Sequence, residues 1–296
     1  MTSVRNPAVR TTRVRTSRSR NSRSNRFNPL AHVLVWFYAL LLLIPLYFMI
    51  ISAFKDNADI FNSPFAFPTS LSFDNFTNAW TRASMGPGLI NSALVTVIAE
   101  IITLVLAIPA AYAIARAGGR IGGIVEKFFA AGLLIPGFAA LVPTVILSIA
   151  LQLFHTREFL YLFLPATVLP LSVILLTQFM RSVPAELEES AMMDGANRLR
   201  VLISIYIPIT IPGIATIAIL NFLTFWNEYL YALILAGPDP DVRTVQVALP
   251  GLVSQTYTQY GVLLAGALIT MVPVYIVYII LNRRLEDALL QGAVKS

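Results

Sequence analysis

The chain has 296 residues, of which 57% are hydrophobic and 12% charged, with a net charge of +6 and a mean hydropathy of +0.73. Average globular chains carry about 25% charged residues, so a soluble shell is excluded, and 18 Phe, 11 Tyr and long aliphatic runs exclude disorder over most of the length. The lack of Cys excludes a disulfide framework, a Cys-ligated metal site and a cysteine nucleophile, while two distant histidines, His32 and His155, leave little for metal binding or His-based catalysis.

In chain order, residues 1–30 come first. They hold Arg5, Arg10, Arg13, Arg15, Arg18, Arg20, Arg23 and Arg26 and no acidic residue, separated mainly by Ser, Thr and Asn. Such a segment cannot build a core, so it is predicted to be a disordered Arg-rich cytoplasmic tail that sets topology and is drawn to anionic lipid. No aromatic residue interleaves before Phe27 and an apolar run follows at once, so no nucleic-acid partner is expected. The apolar run is long enough to span and lacks a small-x-small cleavage site, unlike a secretory signal peptide.

Residues 31–296 read as a six-helix transmembrane domain, because about 20 mostly apolar residues cross a hydrocarbon core. The predicted spans are Ala31–Phe54, Leu89–Ala115, Phe128–Phe154, Leu160–Met180, Ile209–Leu235 and Gly261–Leu281. Pro109, Pro136, Pro143, Pro165, Pro170, Pro212 and Pro273 fall inside them and are expected to kink rather than break the helices. With both termini in the cytoplasm, seventeen Lys and Arg lie inside and four outside (Lys55, Arg82, Arg157 and Arg243), which sets an N-in, C-in topology. The outer segments are then 55–88, a short turn at His155–Phe159, and 237–260. The first of these, aromatic and turn-rich at 67–76, reads as an ordered loop.

Ionisable groups within spans are functional candidates. Glu100 lies about 16 Å into the second span at 1.5 Å per residue, near the midplane, and two readings stand: it faces a translocation cavity, or it bonds a neighbouring helix. Next, Gly118-Gly119-Arg120-Ile121-Gly122-Gly123 lacks the Lys-Ser/Thr of a phosphate-binding loop and reads as a cytoplasmic turn. With no such loop anywhere, the chain is not expected to be an enzyme, has no catalytic residues or metal ligands, and needs no cofactor.

The segment Arg181–Pro212 is the most unusual. A helical piece is predicted after Pro184, with Glu186, Glu188 and Glu189 near its start, where acidic groups complement the dipole. Asp194-Gly195 supplies a sharp turn. A second amphipathic piece, Asn197–Ile207, leads to Pro208 at the mouth of the fifth span. Small residues at the tip (Ser190, Ala191, Gly195 and Ala196) allow another surface to approach closely, as a docking knob requires. In the fifth span, Glu228 lies about 28 Å from the cytoplasmic side. Its neighbours Trp226, Asn227 and Tyr229 are either interfacial anchors or the aromatic and amide lining of an outer gate.

Three motifs carry a family resemblance. Glu189-Ser190-Ala191-Met192-Met193-Asp194-Gly195-Ala196 followed by Ile205-Tyr206-Ile207-Pro208 resembles the Glu-Ala-Ala loop of bacterial ABC importer permeases. Phe225-Trp226-Asn227-Glu228-Tyr229 resembles the Trp-Asn-Glu/Asp segment of the carbohydrate branch, and Gln291-Gly292-Ala293-Val294-Lys295-Ser296 is similar to that branch's Gly-Ala-Val-Lys ending. The chain resembles the second, six-span permease of the maltose type. The likeness covers residue 30 to the end and departs at Ser190, where the family has Ala.

The resemblance implies an all-α membrane protein with the type I importer permease fold, in the bacterial plasma membrane. It would form half of the pathway of a binding-protein-dependent sugar importer. The implied partners are a second permease subunit, cytoplasmic ATP-binding subunits that hydrolyse the ATP, an extracytoplasmic solute-binding protein, and membrane lipid. The segment 181–208 would be the cytoplasmic coupling loop, with Glu189, Ala191, Asp194, Gly195, Ala196 and Pro208 in the ATPase contact; Glu189 would pair with a basic group there and Gly195 would permit the turn. Glu100, Trp226, Asn227, Glu228 and Tyr229 would line the translocation pathway. The competing expectation is an ion- or proton-coupled secondary transporter that titrates Glu100 and Glu228, although no internal repeat of the kind common in such folds is visible.

Overall fold

The structure, a computed structural model, describes residues 29–117, 120–253 and 257–293. The Arg-rich tail up to residue 28, Gly118-Gly119 in the glycine-rich turn, and the closing Val294-Lys295-Ser296 lie outside the described residues. All regular elements among the described residues are helical. In chain order they are α1 (Pro29–Ser52), α2 (Asn57–Asn62), α3 (Asp74–Arg82), α4 (Met85–Arg116), α5 (Arg120–Gly132), α6 (Gly137–Ala150), α7 (Arg157–Arg181), α8 (Ala185–Met193), α9 (Arg198–Val201), α10 (Ile207–Trp226), α11 (Val245–Ala248) and α12 (Tyr260–Ala293).

The chain divides after Pro45 into two units. Over its described residues the N-terminal unit is one apolar helical stretch whose large side chains stand exposed, Leu34 at 58% and Trp36 at 69% among them. Water would not tolerate that surface, and a lipid environment accepts it.

In the larger unit, α4 is 32 residues long, about 48 Å, more than the roughly 30 Å hydrocarbon core. Its buried stripe is built from small residues, Gly88, Ser92, Ala99, Thr103, Ala107 and Ala111, recurring mostly every fourth position. They let backbones approach where lipid offers no hydrophobic drive for association. From Ala99 to Ala111 that stripe packs on α7, the most extensive helix contact among the described residues, while Gly88 and Ser92 face α11, and α10 packs on α4, α7 and α12. Thr103 and Thr177 are fully buried yet satisfied, because each hydroxyl donates to the carbonyl four residues back, Ala99 at 2.8 Å and Val173 at 2.7 Å.

Two predicted spans differ from the structure. The third, Phe128–Phe154, is a broken pair: α5 and α6 meet at 90°. Pro136 has no N–H to continue the ladder and disfavours the helical region for Ile135. The chain instead turns through 133–135, where Leu133 N–H donates to the Ala130 carbonyl and Leu134 N–H to that of Ala131. The remaining span prolines predicted to kink all sit inside helices. The fifth span, Ile209–Leu235, ends as α10 at Trp226, and a separate π-helical turn covers Ala232–Ala236. Among the described residues, five helices are long and apolar enough to cross a membrane, or six spans if α5 and α6 together count as one.

The segment 55–88 is ordered, as its composition predicts. Asp56 caps α2 by accepting from Asp59 N–H at 2.8 Å. The ammonium of buried Lys55 donates to the Ser63 carbonyl at 2.9 Å, and Asn75 donates to the carbonyls of Ala53 and Lys55. Phe54, Phe73 and Phe76 pack ring on ring with centroids 5.1 to 5.8 Å apart.

Candidate functional site

The 181–208 segment folds as a knob with a small, exposed tip and a buried root. Pro184 precedes α8, where its missing N–H costs nothing. The helix ends in a Schellman motif: Gly195 N–H donates to the Met192 carbonyl at 3.0 Å and Ala196 N–H to the Ala191 carbonyl at 2.9 Å. This closure needs a left-handed residue after Asp194, and Gly195 supplies it at φ +84° with open space around the position of a Cβ. Asn197 then caps α9 by accepting from Arg200 N–H at 2.9 Å.

A π-helical turn, Leu202–Tyr206, joins α9 to α10. Pro208, in the first turn of α10, has no N–H to return to the carbonyl of Ser204, so the ladder is re-registered with Ile207 N–H on Leu202 O. Of the residues assigned to the contact, Glu189, Asp194, Gly195 and Pro208 are exposed, whereas Ala191 and Ala196 are half-buried against the core that contains Val183, Val201, Leu202 and Tyr206. The two alanines are the apolar contact that accompanies a Schellman closure.

One residue at the root, expected with Glu186 and Glu189 only to complement the helix dipole, has a further role. Glu188, beside the exposed Glu189, turns inward and is 8% exposed. Its Oε1 accepts from the Tyr112 hydroxyl and its Oε2 from the Tyr206 hydroxyl, both at 2.9 Å, and Arg116 Nε lies 2.8 Å from Oε2 as an ion pair. The Arg116 guanidinium also donates to the Val183 carbonyl at 3.0 Å and stacks 5.0 Å over the Tyr206 ring. The available signal was Tyr112-x-x-x-Arg116, a hydrogen-bonding ring and a cation on one face near the end of a long apolar helix.

Within the membrane, Glu100 sits at the midpoint of α4. Both its carboxylate oxygens are shielded from solvent, and neither makes a hydrogen bond among the described atoms. Asn221 on α10 faces it without a well-formed bond. Asn221 is instead paired with Ser172 on α7 at 3.2 Å, so a polar spot lies where α4, α7 and α10 meet. Gln178 and Arg181 both reach Glu126, joining α7 to α5.

The Trp226–Tyr229 segment is less uniform than its sequence. Trp226 is 3% exposed and donates its indole N–H to the Thr270 carbonyl on α12 at 3.1 Å. Asn227 is exposed and bonds back to the Leu223 carbonyl at 2.8 Å. Glu228 accepts from Tyr231 N–H at 2.8 Å, capping the helical turn that follows, and Tyr229 is 41% exposed. The structure therefore brings the loop residues together around 185–208 and leaves Glu100 and the 226–229 group as separate places.

On the loop side, Asn91 at the start of α4 accepts from Arg157 at 2.7 Å and donates to the carbonyls of Asp241 and Arg243. Arg243 donates in turn to the Ala83 carbonyl at 2.8 Å, and Ser92 accepts from Val245 N–H at 2.9 Å. Segment 237–245 is thus strapped to the ends of α4 and α7.

A bundle of long apolar helices with a folded helical knob between two of them is the architecture of a multi-pass membrane protein. Residues 103–291 match the family model for the binding-protein-dependent transport system inner membrane component, and the chain belongs to that family. It is 34% identical over 269 residues to the diacetylchitobiose uptake system permease protein NgcG of Streptomyces coelicolor, covering 90% of this chain and 89% of that protein. It is 30% identical over 254 residues to the melibiose/raffinose/stachyose import permease protein MelC of Bacillus subtilis, covering 86% and 91%. A chain from the crystal structure of a bacterial ABC transporter involved in the import of alginate shares the fold at a TM-score of 0.76 and 24% identity, covering 88% of this chain and 98% of that one. The protein is accordingly a multi-pass component of the bacterial inner membrane with the importer permease fold, a permease subunit of a binding-protein-dependent importer.

Proposed function

We propose that the chain forms half of the translocation pathway of an ATP-driven oligosaccharide importer, with segment 181–208 as the cytoplasmic coupling loop. The sugar class follows from the relatives, whose names assign diacetylchitobiose uptake and melibiose, raffinose and stachyose import. The observation that carries the coupling reading is the knob itself: its tip is exposed and small while its root is built into the core. A cytoplasmic ATPase subunit would receive Glu189, Asp194 and Gly195, a second permease would complete the pathway, and an extracytoplasmic binding protein would deliver the sugar to the strapped outer segments. Residues 31–296 act as one membrane domain with both termini in the cytoplasm, the arrangement favoured by seventeen cationic residues against four.

No cofactor is assigned to this chain, since ATP binds the partner. Trp226 has the bonding of a helix anchor to α12, whereas exposed Asn227 and Tyr229 remain the better gate candidates, with Glu228 holding the turn beneath them. Glu100 is the one carboxylate of α4 and belongs to the pathway through the polar spot it shares with Asn221. The test is uptake by vesicles holding the chain with its second permease, ATPase and binding protein. Uptake that needs internal ATP and the binding protein is expected. Uptake driven by a proton gradient without nucleotide would refute the reading.

A further inference from the structure

Movement at the tip of the knob is useful only if it reaches the membrane helices. The main packing partner of α8 is α9, itself part of the knob, and Leu187, Met192 and Met193 on α8 are exposed at 43%, 41% and 88%. Apolar contact therefore holds α8 weakly, and its firmest link to the bundle is polar.

That link is Glu188. One carboxylate gathers two tyrosine hydroxyls and one guanidinium from two different elements, α4 and the π-helical turn before α10. Arg116 extends the set to the Val183 carbonyl at the junction of α7 and α8, and the Tyr112 and Tyr206 rings meet edge to face at 4.8 Å. The two hydroxyl bonds and the ion pair all end on one largely shielded carboxylate, and hydrogen bonds to a charged acceptor are stronger than neutral ones. Two of the three partners, Tyr112 and Arg116, lie in the last turns of α4, so a displacement of the carboxylate pulls on that helix. That helix runs the full depth of the domain to Asn91 and the strapped segment 237–245. The adjacent Glu189 faces out, so two neighbouring carboxylates divide the labour: one for the partner, one for the bundle.

We propose that Glu188 is the joint through which the coupling loop drives α4, a positioning residue for transport whose loss uncouples ATP hydrolysis from uptake. The proposal rests on the coupling-loop reading above, and coupling energies of this kind correspond to about 5- to 150-fold changes.

The test uses the assembled importer, with second permease, ATPase and binding protein, in liposomes, and reads sugar taken up per ATP hydrolysed. Glu188→Gln, close to isosteric, is expected to co-purify with the ATPase and hydrolyse ATP while that ratio falls about tenfold or more. Arg116→Gln should lower it similarly, and the double variant should be no worse than either single one, because both remove the same link. A wild-type ratio in assembled Glu188→Gln complexes overturns the proposal, and so do additive losses in the double variant. If Glu188→Gln prevents assembly, Tyr112→Phe and Tyr206→Phe decide, each deleting one hydroxyl. A lowered ratio supports the joint, and a wild-type ratio in both overturns it. Failure of the importer reading is distinguishable, since the wild-type complex would then show no ATP-dependent uptake at all.

Discussion

Gly195 offers a graded perturbation of the coupling loop in which the cost is almost purely backbone. Its φ of +84° lies in the left-handed region, and a Cβ built there meets nothing within 4 Å, so substitution adds strain without a clash. An ordinary L-residue in that region costs about 1–2 kcal/mol, equivalent to a loss of roughly 5- to 30-fold in the population of the closed turn. Asn tolerates the conformation better than Ala. Pro is barred, because its ring fixes φ near −65° and it has no N–H for the Met192 carbonyl now 3.0 Å away; about 3 kcal/mol or more is lost, beyond 100-fold. The expected order of affinity for the ATPase is therefore Gly, then Asn, then Ala, with Pro far below. The assay titrates ATPase subunit against the purified permease pair and reads half-saturation of binding-protein-stimulated hydrolysis. Wild-type affinity in Gly195→Pro, or an Asn variant weaker than Ala, would show that the Schellman closure does not shape the contact.

Two further predictions concern packing. A Cβ on Gly213 would clash with the Phe179 ring of α7, so Gly213→Ala should lower stability by about 1–3 kcal/mol through overpacking; thermal unfolding in detergent should show the loss shrinking to near zero in a Phe179→Ala background, and a loss of equal size there contradicts the close approach. Asn221→Ala breaks the 3.2 Å bond to Ser172, at a cost of about 0.6–2 kcal/mol for a hydrogen bond between membrane helices; the Ser172→Ala, Asn221→Ala pair should be no less stable than the worse single variant, and additive losses would show that the two residues act independently.

How much of this was legible depends on which physical signal each feature leaves. The spans are long apolar runs, and the Asp194-Gly195-Ala196 turn is written in residue types, so both could be read directly. The inward Glu188 could not be told from Glu189: consecutive helical residues point about 100° apart, and only the seat of α8 on Tyr112 and Tyr206 decides which faces in. The break at Pro136 was likewise hidden, since Pro109, Pro143, Pro165, Pro170 and Pro212 sit inside helices with no distinguishing mark in composition. That break raises a question of consequence, because a 90° pair either crosses the membrane or turns back. If α5 and α6 turned back, everything after them would change sides. Arg181, Arg198, Arg200, Arg283, Arg284 and Lys295 would then join Lys55 and Arg82 outside, leaving thirteen cationic residues inside against eight, where a crossing leaves seventeen against four. Charge bias within short flanking segments orients helices, so a crossing pair is the predicted arrangement, with residue 190 in the cytoplasm. Reporter fusions that are active on one side only should place residue 190 and both termini in the cytoplasm; a reporter at residue 190 active outside would make the pair re-entrant and remove the knob from any cytoplasmic ATPase.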